Sequence, residues 1–214
     1  METDKISIKQ LIFSVTGIIA VEVVFKIILP ARLFHPMITL GITRIVQTAM
    51  MLLIISHARG GGLHVSGFRL SRILYGIKRG IIWSLGFGCI VGIGLIILII
   101  FDINPLKLFN LTLPQGIRNL VLLFIVSTIL SPIAEETFFR GILYRFARRW
   151  NVVISIILNA LIFALAHVIV SGAFTVPFIG GILFALSYER EKNLLVPITI
   201  HALGNLSLFT ISLI

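Results

Sequence analysis

Charge is what this chain has least of: 12% of its 214 residues are Asp, Glu, Lys or Arg, and only 8 of them are acidic. With 58% hydrophobic residues and a mean hydropathy of +1.11, it lies outside the composition of soluble globular domains and belongs in lipid. Cysteine is almost missing too. Cys89 is the only one, so the chain can build neither an internal disulfide framework nor a cysteine zinc site. There is no repeat, no low-complexity tract and no small-residue cleavage site after the N-terminal lysines, so the first apolar run reads as a retained span. The formal charge of +10 does not signal nucleic acid, because the basic residues sit in short clusters between apolar runs rather than on one face.

What is present is a series of apolar runs, at 6–29, 37–56, 80–101, 117–140, 151–170, 174–188 and 194–213. A helix crosses the hydrocarbon in about 20 residues, so the runs predict an all-α, polytopic bundle of about seven spans, the sixth short and tilted or partly re-entrant. The longest loop is expected from His57 to Arg79, around Gly60, Gly61 and Gly62, and Asn104-Pro105 and Pro114 punctuate the next. Lys5, Lys9, Arg59, Arg69, Arg72, Lys78, Arg79, Arg145, Arg148, Arg149, Arg190 and Lys192 fall on one side of this scheme, against Arg32, Lys107 and Arg118 on the other. Positive residues resist translocation, so the N-terminus is expected in the cytoplasm and the C-terminus outside.

Ionisable groups inside spans cost about 2.5–3.5 kcal/mol each and need partners or functions. Glu22 and Lys26 stand four apart, in the favourable order for a pair on one helix. Arg44 shows no local partner, and a lipid phosphate or a carboxylate from elsewhere can meet it. In Glu135-Glu136-Thr137-Phe138-Phe139-Arg140, Glu136 and Arg140 are spaced for an ion pair, while Glu135 is turned about 100° away. One carboxylate is thus held ionised and the other left for chemistry. Asn159, Phe163 and His167 share a helix face, as do His201 and Asn205. Either set alone is more often interhelical glue than chemistry. Glu135 stands 15 residues before Trp150 and His167 stands 16 after Asn151, so antiparallel neighbours turning at that point bring both to one depth. Ser131-Pro132 reads either as a helix start, with serine as cap and the acids in a first turn favoured by the dipole, or as an ordinary proline kink.

A base to activate water and donors for an oxyanion are what peptide hydrolysis requires. Glu135 can be the base, His167 can hold the water, and His201 with Asn205 can donate to the developing charge. No His-Glu-x-x-His, Gly-x-Ser-x-Gly or Gly-x-Gly-Asp occurs, so other intramembrane protease chemistries lose support. The three patterns Glu135-Glu136-x-x-x-Arg140, Phe163-x-x-x-His167 and His201-x-x-x-Asn205 resemble, in order and without departure, the motifs of the CPBP intramembrane proteases, the CAAX protease and bacteriocin-processing (ABI) family. The resemblance covers residues 117–214 as a catalytic core, with residues 1–116 as N-terminal helices and loop.

That resemblance implies a glutamate-dependent endopeptidase cutting membrane-anchored or lipidated substrates near their C-terminus. Glu135, His167, His201 and Asn205 would be catalytic, and Glu136, Arg140 and Phe163 supporting. It implies no cofactor, although Glu135, His167 and His201 also make a possible zinc set. A compact chain of this length looks like a prokaryotic member, in the cytoplasmic membrane. The competing class is a non-proteolytic transporter or immunity protein, because buried acids and histidines also serve proton relays.

Overall fold

The computed structural model describes residues 6–30, 34–57, 68, 70–103, 113–171 and 174–213. Lys5, Arg32, Arg59, Arg69, Lys107, the run Gly60, Gly61, Gly62 and the pair Asn104-Pro105 lie outside the described residues. Seven helices follow one another without a strand among the described residues: α1 (Ile8–Ile28), α2 (Pro36–His57), α3 (Ile73–Ile100), α4 (Ile117–Ala147), α5 (Val152–Ser171), α6 (Thr175–Glu191) and α7 (Leu195–Ile211). The first five are long and apolar enough to cross a bilayer. The last two have 17 residues each and rise about 26 Å, slightly less than the hydrocarbon thickness. The protein is a multi-pass membrane protein built as an α-helical bundle.

Its outside is apolar, as lipid requires: no residue in the spanning window of α3 is buried, and Ile90, Ile93, Ile96 and Ile100 face outward. Helices α1 and α5 begin where side chains satisfy free N–H groups. Ser7 and Gln10 form a capping box at α1, with Gln10 N donating to Ser7 Oγ at 3.2 Å and Ser7 N donating to Gln10 Oε1 at 2.9 Å. Asn151 Oδ1 accepts from Val153 N and Ile154 N, which places the α4–α5 turn where the sequence predicted it.

Two boundaries differ from the sequence reading. Helix α3 starts at Ile73 rather than near residue 80, so the preceding loop is shorter than expected. Two glycines at the start of this helix are contact points: a Cβ on Gly76 would lie 2.8 Å from Leu195 Cβ, and one on Gly80 2.5 Å from Thr199 Cβ. Small residues there let α3 lie close against the start of α7. Helix α4 runs to Ala147 rather than residue 140, because the charge at Arg140 is neutralised internally.

The basic clusters meet at one end of the bundle. Arg79 Nε and Nη2 and Trp83 Nε1 donate to Glu191 Oε1 at 3.0, 2.6 and 3.0 Å, and Tyr75 OH donates to Glu191 Oε2 at 3.0 Å. Arg148 grips Glu189 through Nε and Nη2, both at 2.7 Å, and Lys192 Nζ reaches the same carboxylate at 2.6 Å. Arg149 Nη2 donates to the carbonyl of Ile6, bringing the start of α1 to this end. In the N-terminal helices, Lys26 Nζ lies 3.5 Å from Glu22 Oε1, as the spacing predicted. Arg44 does have a partner on its own helix, the neutral Gln47, whose Oε1 accepts from Nη1 at 2.8 Å.

Candidate active site

Helix α4 carries the acidic pair, and its local geometry decides where that pair points. It is one continuous helix interrupted by two wide π-turns, Val126–Leu130 and Phe139–Tyr144, one on either side of Glu135 and Glu136. Ser131 is helical, with φ −64° and ψ −48° at the join, and no side chain caps the segment at that point. The helix-start reading of Ser131-Pro132 is therefore overturned. Proline lacks an N–H and its ring clashes with the carbonyl four residues back, and the widened turn just upstream absorbs both defects without breaking the helix. The acids sit in mid-helix, where no dipole end favours them.

Each wide turn offers carbonyls to neighbouring helices, and an asparagine takes one from each. Asn205 Nδ2 donates to Ser127 O at 2.8 Å, and Asn159 Nδ2 to Phe139 O at 2.7 Å. These two bonds clamp α7 and α5 to α4 above and below the acidic pair.

Glu136 is fully buried and takes two donors on one oxygen, Arg140 Nη1 and His201 Nδ1, each at 2.9 Å from Oε1. The pairing with Arg140 was expected; the bond to His201 was not, since only the tertiary fold brings positions 136 and 201 together. Arg140 is equally buried, donates through Nη2 to Gly181 O at 3.0 Å, and lies 4.8 Å from the Phe163 ring centre and 5.1 Å from that of Phe184. Access to that carbonyl depends on Gly181, where a Cβ would meet Ala160 Cα at 2.9 Å and push α6 off α5. Phe184 also stacks on the His201 ring, with centroids 4.8 Å apart and planes 17° from parallel. Phe184 and Gly181 were missed by sequence reasoning, and on an apolar helix no local signal separates them from ordinary packing.

Glu135 points the other way, toward two imidazoles. Its Oε2 lies 3.8 Å from His167 Nε2 and 3.9 Å from His201 Nε2, and it has no hydrogen-bond partner among the described residues. The depths inferred from the Trp150-Asn151 turn thus converge. The tautomers follow from the other ring nitrogens. His167 Nδ1 is 2.9 Å from Phe163 O, which can only accept, so Nδ1 carries a hydrogen. His201 Nδ1 faces the Glu136 carboxylate in the same way. Both Nε2 atoms therefore turn toward Glu135, at separations too long for direct bonds and suited to one water bridging the groups. Glu135 and His167 keep 18% and 30% side-chain exposure while Glu136 has none, so the free carboxylate is reachable and the paired one is not.

Tetrahedral zinc would hold its ligands about 2.0–2.2 Å from itself and so about 3.3 Å from one another. Glu135 Oε2 stands 3.8 and 3.9 Å from the Nε2 atoms of His167 and His201, and among the described residues no three His, Cys, Asp or Glu side chains are arranged to hold a metal ion.

Residues 117–207 match the family described as type II CAAX prenyl endopeptidase Rce1-like, and this segment, which carries all three motifs, is an Rce1-like domain. The chain is also 27% identical over 129 residues to an Escherichia coli protein described as an uncharacterized 24.3 kDa protein. That match covers 57% of this chain and spans 59% of the length of the relative. No solved structure matches.

Proposed function

We propose that the Rce1-like segment is the catalytic core of an intramembrane endopeptidase, in which Glu135 activates water against a peptide bond of a membrane-anchored or lipidated substrate near its C-terminus. The observation that carries this reading is the Glu135 oxygen, without a hydrogen-bond partner among the described residues, that faces two imidazole Nε2 atoms at 3.8 and 3.9 Å. That carboxylate oxygen is buried without a donor among the described residues, and a water in front of it supplies the hydrogen it lacks.

The bonds around the cluster give each residue a role. Glu135 removes a proton from the water as its oxygen adds to the carbonyl carbon, and His167 Nε2 accepts the water's other hydrogen to fix its lone pair on the carbon. His201 donates to the oxyanion through Nε2 only as an imidazolium, and the Glu136 carboxylate on its Nδ1 is the counter-ion for that form. Arg140 donates to Glu136 Oε1 and fixes that carboxylate in place. Asn205 spends one N–H on Ser127 O, and its amide nitrogen carries a second for the oxyanion. When the tetrahedral intermediate collapses, Glu135 returns its proton to the departing amine, so protons balance and the base is restored.

No step in this sequence uses a metal. The basic end, with Arg79, Arg148 and Lys192, faces the cytoplasm by the positive-inside rule, which puts Ile211 at the opposite end of α7 outside. The test is to reconstitute the purified protein in nanodiscs with a membrane-anchored peptide reporter, and to read both fragments by mass spectrometry before and after exhaustive chelation. Two complementary fragments that persist without metal are expected. Failure to cut any anchored reporter would favour the transporter or immunity reading, and activity that follows zinc removal and restoration would favour the metal-dependent one.

A further inference from the structure

One cation within a membrane span has no use in the chemistry above. Arg44 lies in mid-course of α2, and among the described residues its guanidinium bonds only Gln47, through Nη1. Its Nε is buried without a partner among the described residues. The idle side of this guanidinium is the Nε–Nη2 edge. In Arg148 the same edge grips the Glu189 carboxylate with two bonds of 2.7 Å, and in Arg79 it grips Glu191. An arginine fork is shaped for a planar carboxylate.

The direction of Arg44 follows from its neighbours. Met51 and Ile55, seven and eleven residues on, share its helix face at about 100° per residue, and both pack with Ile142 of α4. Nearer the start of α2, a Cβ on Gly41 would touch Val126 Cγ2 and Leu130 Cδ1 at 3.2 and 3.3 Å. Helices α2 and α4 therefore run side by side in one direction, and Arg44 comes level with the Ser131-Pro132 step. That is roughly one helical turn, about 5 Å, from Glu135 along the axis. On the same side, a cavity of about 500 Å³ opens between α2, α4 and α7, lined by Pro36, Met37, Leu123 and Phe209. Phe209 stands four and eight residues beyond Asn205 and His201 on α7, so this cavity lies about one to two helical turns from those residues, toward the end opposite the basic clusters.

The geometry points to Arg44 as the reader of a free C-terminal carboxylate on the peptide substrate, a role that rests on the proteolytic reading of Glu135. A strand advances about 3.3 Å per residue, so an anchor one or two helical turns from the attacked bond limits cleavage to a few residues from the chain end. Arg44 thereby supplies what the catalytic residues lack, a means of measuring distance to the terminus.

The experiment uses the full chain carrying Glu135→Gln, in nanodiscs of neutral lipid, and two fluorescent membrane-anchored peptides identical except for a C-terminal carboxylate or amide. The acid should bind at least tenfold more tightly than the amide. Arg44→Gln should bring the acid down to the level of the amide without changing amide affinity, and Arg44→Lys should retain part of the preference. Equal binding of acid and amide with Arg44 intact, or an equal loss for both in Arg44→Gln, overturns the proposal. If Arg44→Gln does not fold, the intact-protein comparison and Arg44→Lys still decide. Repeating the measurement in anionic lipid tests the competing partner: an acid preference absent in both lipids, with Arg44→Gln altering stability only in the anionic one, would assign the arginine to lipid phosphate. Because binding needs no catalysis, an acid preference dependent on Arg44 in a chain that never cuts would sink the proteolytic reading and leave the carboxylate site standing.

Discussion

The two halves of the bundle handle polar groups differently. In α1–α3 the ion pair Glu22–Lys26 is a local one on a single helix, with side chains 36% and 72% exposed. In α4–α7, Arg140, Glu136 and His201 come from two helices, lock onto one carboxylate oxygen and are almost wholly out of reach of solvent. Glycines divide by position rather than by half, since Gly76 and Gly80 of α3 touch α7 while Gly204 of α7 faces open space. Gly86, Gly88, Gly92 and Gly94 of α3 face open space, whereas Gly181 of α6 stands against the backbone of α5. A local pair can be lost with little consequence, but a buried network assembled across helices fails as a unit.

The sharpest way to break this contrast is to remove one member of an ion pair from each half. Arg140→Leu leaves Glu136 buried without its counter-ion and should cost about 3–5 kcal/mol of unfolding free energy, measured by denaturant titration in micelles, along with all cleavage. Next in size is Asn205→Ala, which removes an oxyanion donor and should lower turnover roughly 10²–10³-fold with the protein still folded, read in the reporter assay. The glycines give a smaller and signed difference. Gly181→Val should destabilise by about 1–3 kcal/mol through overpacking against Ala160, while Gly88→Ala should be neutral or stabilise by up to about 1 kcal/mol, because alanine suits an open helix position better. The least effect belongs to Glu22→Gln, expected to change stability by about 1 kcal/mol or less. A Glu22→Gln loss comparable with Arg140→Leu would show that the halves do not differ as described.

The sequence made one layer of this contrast legible. Apolar runs located all seven helices, because lipid imposes length and hydropathy on each span separately. Residue spacing paired Glu136 with Arg140, and counting from the Trp150-Asn151 turn brought Glu135 level with His167, since both are properties of regular helices. Departures from regularity were out of reach. The wide turns at Val126–Leu130 and Phe139–Tyr144, the glycine contacts that extend α3 back to Ile73, and the attachment of His201 to Glu136 depend on which helices become neighbours. Arg44 shows the reverse case: its partner Gln47 stood three residues away, and attention to charge alone overlooked a neutral acceptor.

At the centre of the account is a division of labour between two adjacent carboxylates, Glu135 free for chemistry and Glu136 bound to Arg140 and His201. The direct measurement is of Glu135→Gln and Glu136→Gln side by side, each assayed for reporter cleavage in nanodiscs and for thermal unfolding. Glu135→Gln should abolish cleavage and unfold at the wild-type temperature, while Glu136→Gln should impair cleavage and unfold distinctly lower, because it removes the negative charge that Arg140 and His201 share and leaves Arg140 buried without a counter-ion. Cleavage surviving in Glu135→Gln, together with equal destabilisation by both substitutions, would contradict the account.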